Sequence, residues 1–172
     1  AASILFPRQR EERTMTITQQ PATKTFQPFQ IRPQLLEYGK TSTRLAKTDL
    51  LSATVQVIAS GGETNLHAHG GEDATWLVLQ GSARFYTTDN EVVATLGRFE
   101  GLVIPRELPY WFESASDEEN LVILRMGASA QNEPHRRIDH SPRQFKTQDE
   151  NGVSKAIRDI QVIDGKYFGD AS

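Results

Sequence analysis

The stretch GGETNLHAHGGEDATWLVLQG, which runs from Gly61 to Gly81, joins two histidines to an apolar run. The apolar run is typical of a β-strand, and successive side chains of a strand point to opposite faces of a sheet. His67 and His69, one residue apart, would therefore project from the same face. Neighbouring imidazoles can chelate Zn, Fe, Mn, Ni or Cu, but a firmly held ion needs at least one further ligand from elsewhere in the protein.

Short apolar runs recur on both sides of this stretch, separated by segments with turn chemistry. They predict seven strands, at residues 53–59, 76–79, 83–87, 91–96, 102–104, 110–113 and 121–126. Seven short strands at this close spacing indicate an all-β sandwich or barrel built from antiparallel hairpins.

Polar segments flank this β-rich region. Residues 1–34 are rich in Gln, Thr, Pro and Arg and lack apolar periodicity, which favours an extended arm. After Gly127 the sequence is polar again until an apolar cluster at residues 157–168, which could be a short helix or a late strand. The expected organisation is an N-terminal leader (residues 1–14) and arm within residues 1–45, a barrel at residues 46–127, and a C-terminal extension at residues 128–172 that packs on the barrel or on a partner subunit.

The composition excludes several classes of function. The chain has 172 residues and no cysteine, so we expect one hydrophobic core and exclude disulfides, thiolate metal sites and iron–sulfur clusters. The net charge is −3 and the basic residues are scattered, which argues against a nucleic-acid partner. No apolar run is long enough to span a bilayer, and the first residues lack the apolar centre of a signal peptide. We therefore predict a soluble, cytoplasmic protein with no nucleic-acid or membrane partner.

Two motifs resemble those of the cupin superfamily. The first, Gly-x5-His-x-His-x(3 or 4)-Glu-x6-Gly, is matched at both outer glycines of the opening stretch and at His67 and His69. The second, Gly-x5-Pro-x-Gly-x2-His-x3-Asn, is met in part by GRFEGLVIP, which ends at Pro105, and by the seven residues that follow it. The resemblance covers roughly residues 50–127. It implies an all-β, cupin-type double-stranded β-helix, a jelly-roll barrel that encloses a ligand-sized interior.

The sequence departs from the family at two of its four usual metal ligands. The position of the metal-binding glutamate holds Ala74, and the position of the second-motif histidine holds Tyr110. Glu72 has the strand parity of Ala74 and could reach inward from the loop, whereas Asp73 points to the other face unless a β-bulge re-aims it. For each acid the alternative is a solvated loop carboxylate. The candidate metal ligands are His67, His69, Tyr110 and Glu72.

Three roles are open for Tyr110, which strand parity places on the face that looks into the barrel. It could ligate a hard cation as a phenolate, although a phenol with a pKa of about 10 needs strong nearby charge to ionise. It could be a general acid opposite His69 or His67 as base, with Asp73 orienting the histidine, an arrangement similar to that of metal-free sugar epimerases of this fold. It could also be structural, with its hydroxyl bonded to a neighbour.

Aromatic side chains are expected to line the barrel interior and to suit a flat or apolar small molecule, with ordinary core packing as the alternative. Arg84 and Arg125 also lie on predicted strands. An inward arginine would form a carboxylate clamp, whereas arginines on a half-solvated sheet usually face water. The predicted pocket residues are Trp76, Phe85, Phe112 and Ala74.

Three functional hypotheses follow. The first, which the resemblance favours, is a metal-dependent oxidoreductase or lyase, dioxygenase-like, that acts on a small organic substrate and holds one divalent transition metal, Fe, Mn, Ni or Zn. The second is a metal-free isomerase or cyclase with His69 or His67 as base and Tyr110 as acid. The third is a non-catalytic protein that binds a small molecule. Because the flanking segments have no evident core of their own, we also expect a homodimer with exchanged N-terminal strands.

Overall fold

The computed structural model describes residues 24–130, 136–142, 146–148, 154–156 and 160–170. The expected leader at residues 1–14 lies outside them. Within these ranges the chain forms fourteen β-strands and one short 3-10 helix, and no helix there has the length and apolar character that a bilayer span requires. In chain order the elements are β1 (Gln34–Tyr38), β2 (Lys40–Lys47), β3 (Leu51–Ile58), β4 (His67–Gly70), β5 (Glu72–Gln80), β6 (Ala83–Tyr86), the 3-10 helix (Thr88–Asn90), β7 (Val92–Leu96), β8 (Gly101–Ile104), β9 (Trp111–Ser114), β10 (Leu121–Ser129), β11 (Arg136–Asp139), β12 (Lys146–Gln148), β13 (Ser154–Ala156) and β14 (Gln161–Tyr167).

The seven strands predicted from the sequence are confirmed as β3 and β5 to β10. Alternation explains them, since β3 buries Ala53, Val55 and Val57 on one face while the residues between them are half-buried. The apolar cluster near the C-terminus contains a strand, β14, where the sequence left helix and strand open.

Five antiparallel strands form one layer of the barrel, in the order β2-β3-β10-β5-β8. The central strand β10 pairs with β3 and β5 in a register that sets Arg125 opposite both Thr54 and Trp76. Residues opposite each other in antiparallel strands share a face of the sheet, so these three side chains point the same way. Because β2 begins at Lys40, this layer includes residues from both the expected arm, residues 1–45, and the expected barrel, residues 46–127.

The second layer contains β7-β6-β9 and the pair β4-β11. The backbones of His67 and Tyr110 join these two parts, since the N–H of each donates to the carbonyl of the other at 3.0 and 2.9 Å. The second layer is thus a continuous sheet that faces the first. This arrangement confirms the expected all-β jelly-roll barrel.

The core between the two layers is rich in aromatic rings. The ring centroids of Phe85 and Phe112 are 4.9 Å apart and stacked, and Trp76 lies 4.9 Å from Phe112. Burial of each ring stabilises the fold by roughly 2–3 kcal/mol. Tyr110 belongs to the same cluster and also contacts His67. It therefore lies where the apolar core meets the polar part of the interior.

A second apolar cluster covers the outer face of the five-stranded layer. Leu36 of β1 packs there on Val55, Val57 and Val122, and β1 pairs with β14. The side chain of Asn120 fixes this arm, because its Nδ2 donates to the carbonyl of Leu36 at 2.8 Å and its Oδ1 accepts the N–H of Leu36 at 2.6 Å. The flanking segments therefore cover part of the outer face of the barrel.

Candidate functional site

The two histidines of the opening stretch lie on β4 and project to the same side of the sheet, as a strand requires. Their ring centroids are 5.1 Å apart, and the ring of Tyr110 lies 4.5 Å from His67 and 6.3 Å from His69. His67 is buried and His69 is half-buried. The three rings form one group at the edge of the core.

A backbone carbonyl fixes the tautomer of His67. Its Nδ1 lies 2.7 Å from the carbonyl oxygen of Asn65, which can only accept, so Nδ1 carries the proton and Nε2 keeps the lone pair. Burial, followed by the positive charge of Arg137, lowers the pKa of His67 from 6.5 to about 3. The imidazole is therefore neutral at neutral pH.

Tyr110 places a buried phenol beside these rings. Burial raises the pKa of its hydroxyl, and the positive charge of Arg125 opposes that shift. Tyr110 therefore stays protonated at neutral pH. Its hydroxyl is buried and makes no hydrogen bond of good geometry within the described part of the chain, although side-chain contacts with Arg125 and Trp76 lower its pKa against the effect of burial.

A buried ion pair lies inside the barrel next to Tyr110. Nη1 of Arg125 donates to Oε1 of Glu72 at 2.7 Å, and the Ser52 hydroxyl donates to the same oxygen at 3.2 Å. Arg125 is only 8% exposed and Glu72 only 4%. Gly127 faces the carboxylate so closely that a Cβ there would overlap Oε1. Glu72 therefore points inward as its strand parity suggested and is not a solvated loop carboxylate, and Arg125 is an inward arginine.

Several buried polar atoms on this inner face have no partner among the described residues. They include three kinds of donor, namely Nε and Nη2 of Arg125, the hydroxyl of Tyr110 and Nε1 of Trp76. Arg125 and Trp76 are near enough to Tyr110 to act on the pKa of its hydroxyl. The Oε1 atom of Gln56, on the same face of β3 as Thr54, is also unpartnered. The interior thus presents clustered hydrogen-bonding capacity that the described chain does not satisfy.

Asp73 and Arg84 lie outside this site. Oδ1 of Asp73 accepts bonds from the backbone N–H and the Nε of Arg106 at 2.8 and 3.2 Å, and these bonds hold the pKa of Asp73 below its usual value. The register of β5 is regular at this point, so no bulge turns Asp73 inward. For His67, the hypothesis that Asp73 orients the histidine is wrong, because the carbonyl of Asn65 does so. Arg84 contacts the hydroxyl of Thr95, its partner on β7, rather than the interior.

The four predicted pocket residues, Trp76, Phe85, Phe112 and Ala74, are all buried. The guanidinium carbon of Arg125 lies 5.7 Å from the ring centroid of Trp76, whose ring is 6.2 Å from that of Tyr110. Trp76 therefore contacts both this polar group and the core ring of Phe112, which is 4.9 Å away. Ala74 lies opposite Gly127, so both residues that flank the ion pair are small.

Residues 54–127, which include both histidines, Tyr110 and Arg125, match the sequence profile of the cupin domain. This part of the chain is a cupin domain. This finding confirms the resemblance seen in the two motifs. No curated protein sequence matches this cupin.

Solved structures are similar to this cupin. A protein with a double-stranded β-helix domain from Klebsiella pneumoniae has a TM-score of 0.52 and 15% identity, covering 59% of this chain and 79% of its own. KdgF from Halomonas sp. has a TM-score of 0.48 and 18% identity, covering 55% and 83%. An RmlC-like cupin from Desulfovibrio desulfuricans has a TM-score of 0.45 and 18% identity, covering 52% and 81%. At 15% identity, the likeness to the Klebsiella protein concerns the fold alone.

The described residues of this cupin do not fit a firmly held divalent metal ion. In the described ranges, no group of three or more His, Cys, Asp or Glu side chains could hold one. The carboxylate of Glu72 is bound by Arg125, and the raised pKa of Tyr110 disfavours a phenolate ligand. The positive charges of Arg137 and Lys40 that lower the pKa of His67 would also repel a cation. Two imidazoles alone hold such an ion weakly.

A polar network beside β4 was not predicted from the sequence. On β11, which pairs with β4, Nε of Arg137 donates to Asp139 at 2.8 Å and its Nη2 donates to Oδ1 of Asn65 at 2.5 Å. Nδ2 of Asn65 donates to Asp139 at 3.1 Å. This network holds the residue whose carbonyl orients His67. Asn65 is more than seventy positions away from Arg137 and Asp139 in sequence, so no local pattern could have indicated the network.

Proposed function

We propose that this cupin binds a small organic molecule in the polar part of its barrel and does so without a resident metal ion. The observation that carries this proposal is the group of buried donors on Arg125, Tyr110 and Trp76 that have no acceptor within the described chain. A buried donor without an acceptor costs about 1–3 kcal/mol. Such groups in native proteins are usually completed by a ligand or by ordered water.

The pKa shifts favour recognition over proton transfer by His67 and Tyr110. A general acid or base works best when its pKa lies near the working pH. The pKa of His67 falls to about 3 and that of Tyr110 rises, so both move away from neutrality. Both groups remain neutral hydrogen-bonding partners, which is what a binding site requires.

Metal-free acid–base catalysis is a second candidate, with His69 as base and Tyr110 as acid. It is supported by the position of His69, which is half-buried, on the same side as His67 and with its ring centroid 6.3 Å from that of Tyr110. Small molecules released from purified protein would be returned to it in deuterium oxide and followed by NMR. Catalysis predicts uptake of deuterium or conversion, lost in Tyr110→Phe. An unchanged molecule would leave binding as the function.

Metal content tests the proposal directly. Untagged protein and the variant His67→Ala would be compared by elemental mass spectrometry, after exposure to Fe, Mn, Ni and Zn. We expect far less than one metal ion per chain in both proteins. The small molecules released from the protein should be the same whether or not it was purified with a chelator. About one transition metal per chain that disappears in His67→Ala would overturn the proposal. It would favour the metal-dependent dioxygenase-like or lyase-like enzyme, for which His67, His69, Tyr110 and Glu72 stay the predicted ligands.

The cytoplasmic location, the lack of nucleic-acid and membrane partners, and the homodimer stay predictions.

A further inference from the structure

Only one side of the Arg125 guanidinium group is hydrogen-bonded within the described residues. Its Nη1 binds Glu72, whereas its Nε and Nη2 are buried and unpartnered within the described residues. Nε and Nη2 form one edge of the planar guanidinium, and two parallel N–H bonds from such an edge match the two oxygens of a carboxylate. Arg125 is more than nine-tenths buried, so this edge faces the barrel interior and not bulk water.

We propose that the small molecule bound in the barrel carries a carboxylate group, held by the Nε–Nη2 edge of Arg125 with further hydrogen bonds from Tyr110 and Trp76. This inference rests on the proposed function and specifies its ligand class. All three side chains offer donors here: guanidinium and indole N–H groups only donate, and a protonated phenol can donate. An ionised carboxylate only accepts. The donor set and the ligand group are therefore complementary.

The charge around Arg125 favours a singly charged planar anion over a phosphate or sulfate. Glu72 lies 2.7 Å from the same guanidinium and already neutralises part of its charge. A dianion would be repelled by that carboxylate, and a tetrahedral anion would use only part of the planar edge. The aromatic wall formed by Trp76 with Tyr110 suits an apolar or flat body attached to the carboxylate.

Glu72 is a positioning residue in this arrangement. Its carboxylate holds Nη1 of Arg125 and leaves the opposite edge available. Gly127 allows this position, because any larger residue would occupy the space of Glu72 Oε1.

Fluorescence of Trp76 provides a direct test. The chain contains two tryptophans, and Trp111 stacks on Tyr86, on the face of β9 opposite to that of Tyr110 and Phe112. The variant Trp111→Phe therefore leaves Trp76 as the only tryptophan, next to the proposed carboxylate site. This protein would be titrated with benzoate, acetate, benzamide, acetamide, phosphate and sulfate, and binding would be confirmed by calorimetry.

We expect saturable binding of benzoate, at least about tenfold tighter than binding of its neutral isostere benzamide. In the same background, Arg125→Lys keeps a positive charge near Glu72 but lacks the planar edge, and should weaken benzoate binding by about tenfold or more. Arg84→Lys is the matched control, because Arg84 contacts Thr95 rather than the barrel interior. It should leave binding unchanged. A single change at Arg125 could unfold the protein, so thermal unfolding of each variant would be recorded. The double variant Glu72→Met with Arg125→Met provides a second test, because it removes the ion pair without leaving a buried charge.

Several results would overturn the carboxylate assignment. The first is equal affinity for benzamide and benzoate, and the second is unchanged affinity for benzoate in folded Arg125→Lys or in the double variant. The others are tighter binding of phosphate or sulfate than of benzoate, and no fluorescence response to benzoate or acetate up to about 50 mM. A neutral molecule that binds in the barrel of metal-free protein would refute the carboxylate and leave the proposed function intact. A stoichiometric metal lost in His67→Ala would instead refute the proposed function.

Discussion

At the scale of single residues, one backbone carbonyl determines the chemistry of His67. The carbonyl of Asn65 takes the Nδ1 proton, and burial then removes most of the tendency of the ring to gain a second proton. Arg137, Lys40 and His69 act in the same direction through their charge. The same residue type that suggested a metal ligand or a base in the sequence is therefore a neutral hydrogen-bonding group in the fold.

His67 should make the protein sensitive to acid. Its pKa is about 3 in the folded state against 6.5 for an ordinary histidine, so the unfolded chain binds the proton first as pH falls. Stability due to the neutral ring is present above pH 6.5 and is lost progressively toward pH 3, at up to about 1.4 kcal/mol per pH unit. We expect the free energy of unfolding of His67→Asn, measured by urea denaturation, to fall less steeply between pH 6.5 and 4.

The exposed residue His140 supplies the control for this measurement. Comparison with His140→Asn separates the effect of the buried His67 ring from the effect of losing a histidine side chain. Parallel curves for His67→Asn and the unmodified protein would show that His67 is not held neutral by the fold.

At the scale of strands, the pairing of β5 with β10 creates the site. Gly127 on β10 faces the Glu72 carboxylate, and a methyl group there would overlap Oε1. We expect Gly127→Ala to displace Glu72 from Arg125 and to lower the free energy of unfolding by roughly 1–4 kcal/mol, because a buried pair would be disturbed. Gly97→Ala is the matched control, since its Cβ would make only an ordinary contact with Glu100 at 3.5 Å. Equal stability of the two variants would contradict the proposed packing.

The strand pattern explains which parts of the fold could be predicted. Turn residues and apolar alternation located β3 and β5 to β10, and parity correctly placed Trp76 and Phe112 inside. Parity could not decide the direction of Arg125, because an arginine on a strand usually faces water. Its partner, Glu72, is 53 positions away in sequence. Pairing partners at such a distance are set by the topology of the barrel and not by any local pattern.

At the scale of the whole molecule, the arm extends the barrel. Leu36 is 1% exposed against the outer face of the sheet, and Arg32 binds Asp170 through two hydrogen bonds of 2.9 and 3.1 Å. On the same outer face, Met126 is 38% and Val103 is 68% exposed. The arm thus covers the β3 side of this sheet and leaves apolar side chains exposed on the β8 side, where a second chain could pack.

A homodimer with exchanged N-terminal strands stays our prediction for the assembly. In such a dimer the contacts of Leu36 with Asn120 would form between two chains instead of within one. Light scattering after size-exclusion chromatography should then give twice the mass of the chain. Asn120→Ala removes both hydrogen bonds to Leu36 and should weaken the dimer by about tenfold, as expected for roughly 1–2 kcal/mol. Val103→Lys should leave an exchanged dimer intact, whereas it would dissociate a dimer formed through the exposed sheet face. A monomeric mass for the unmodified protein would refute the dimer altogether.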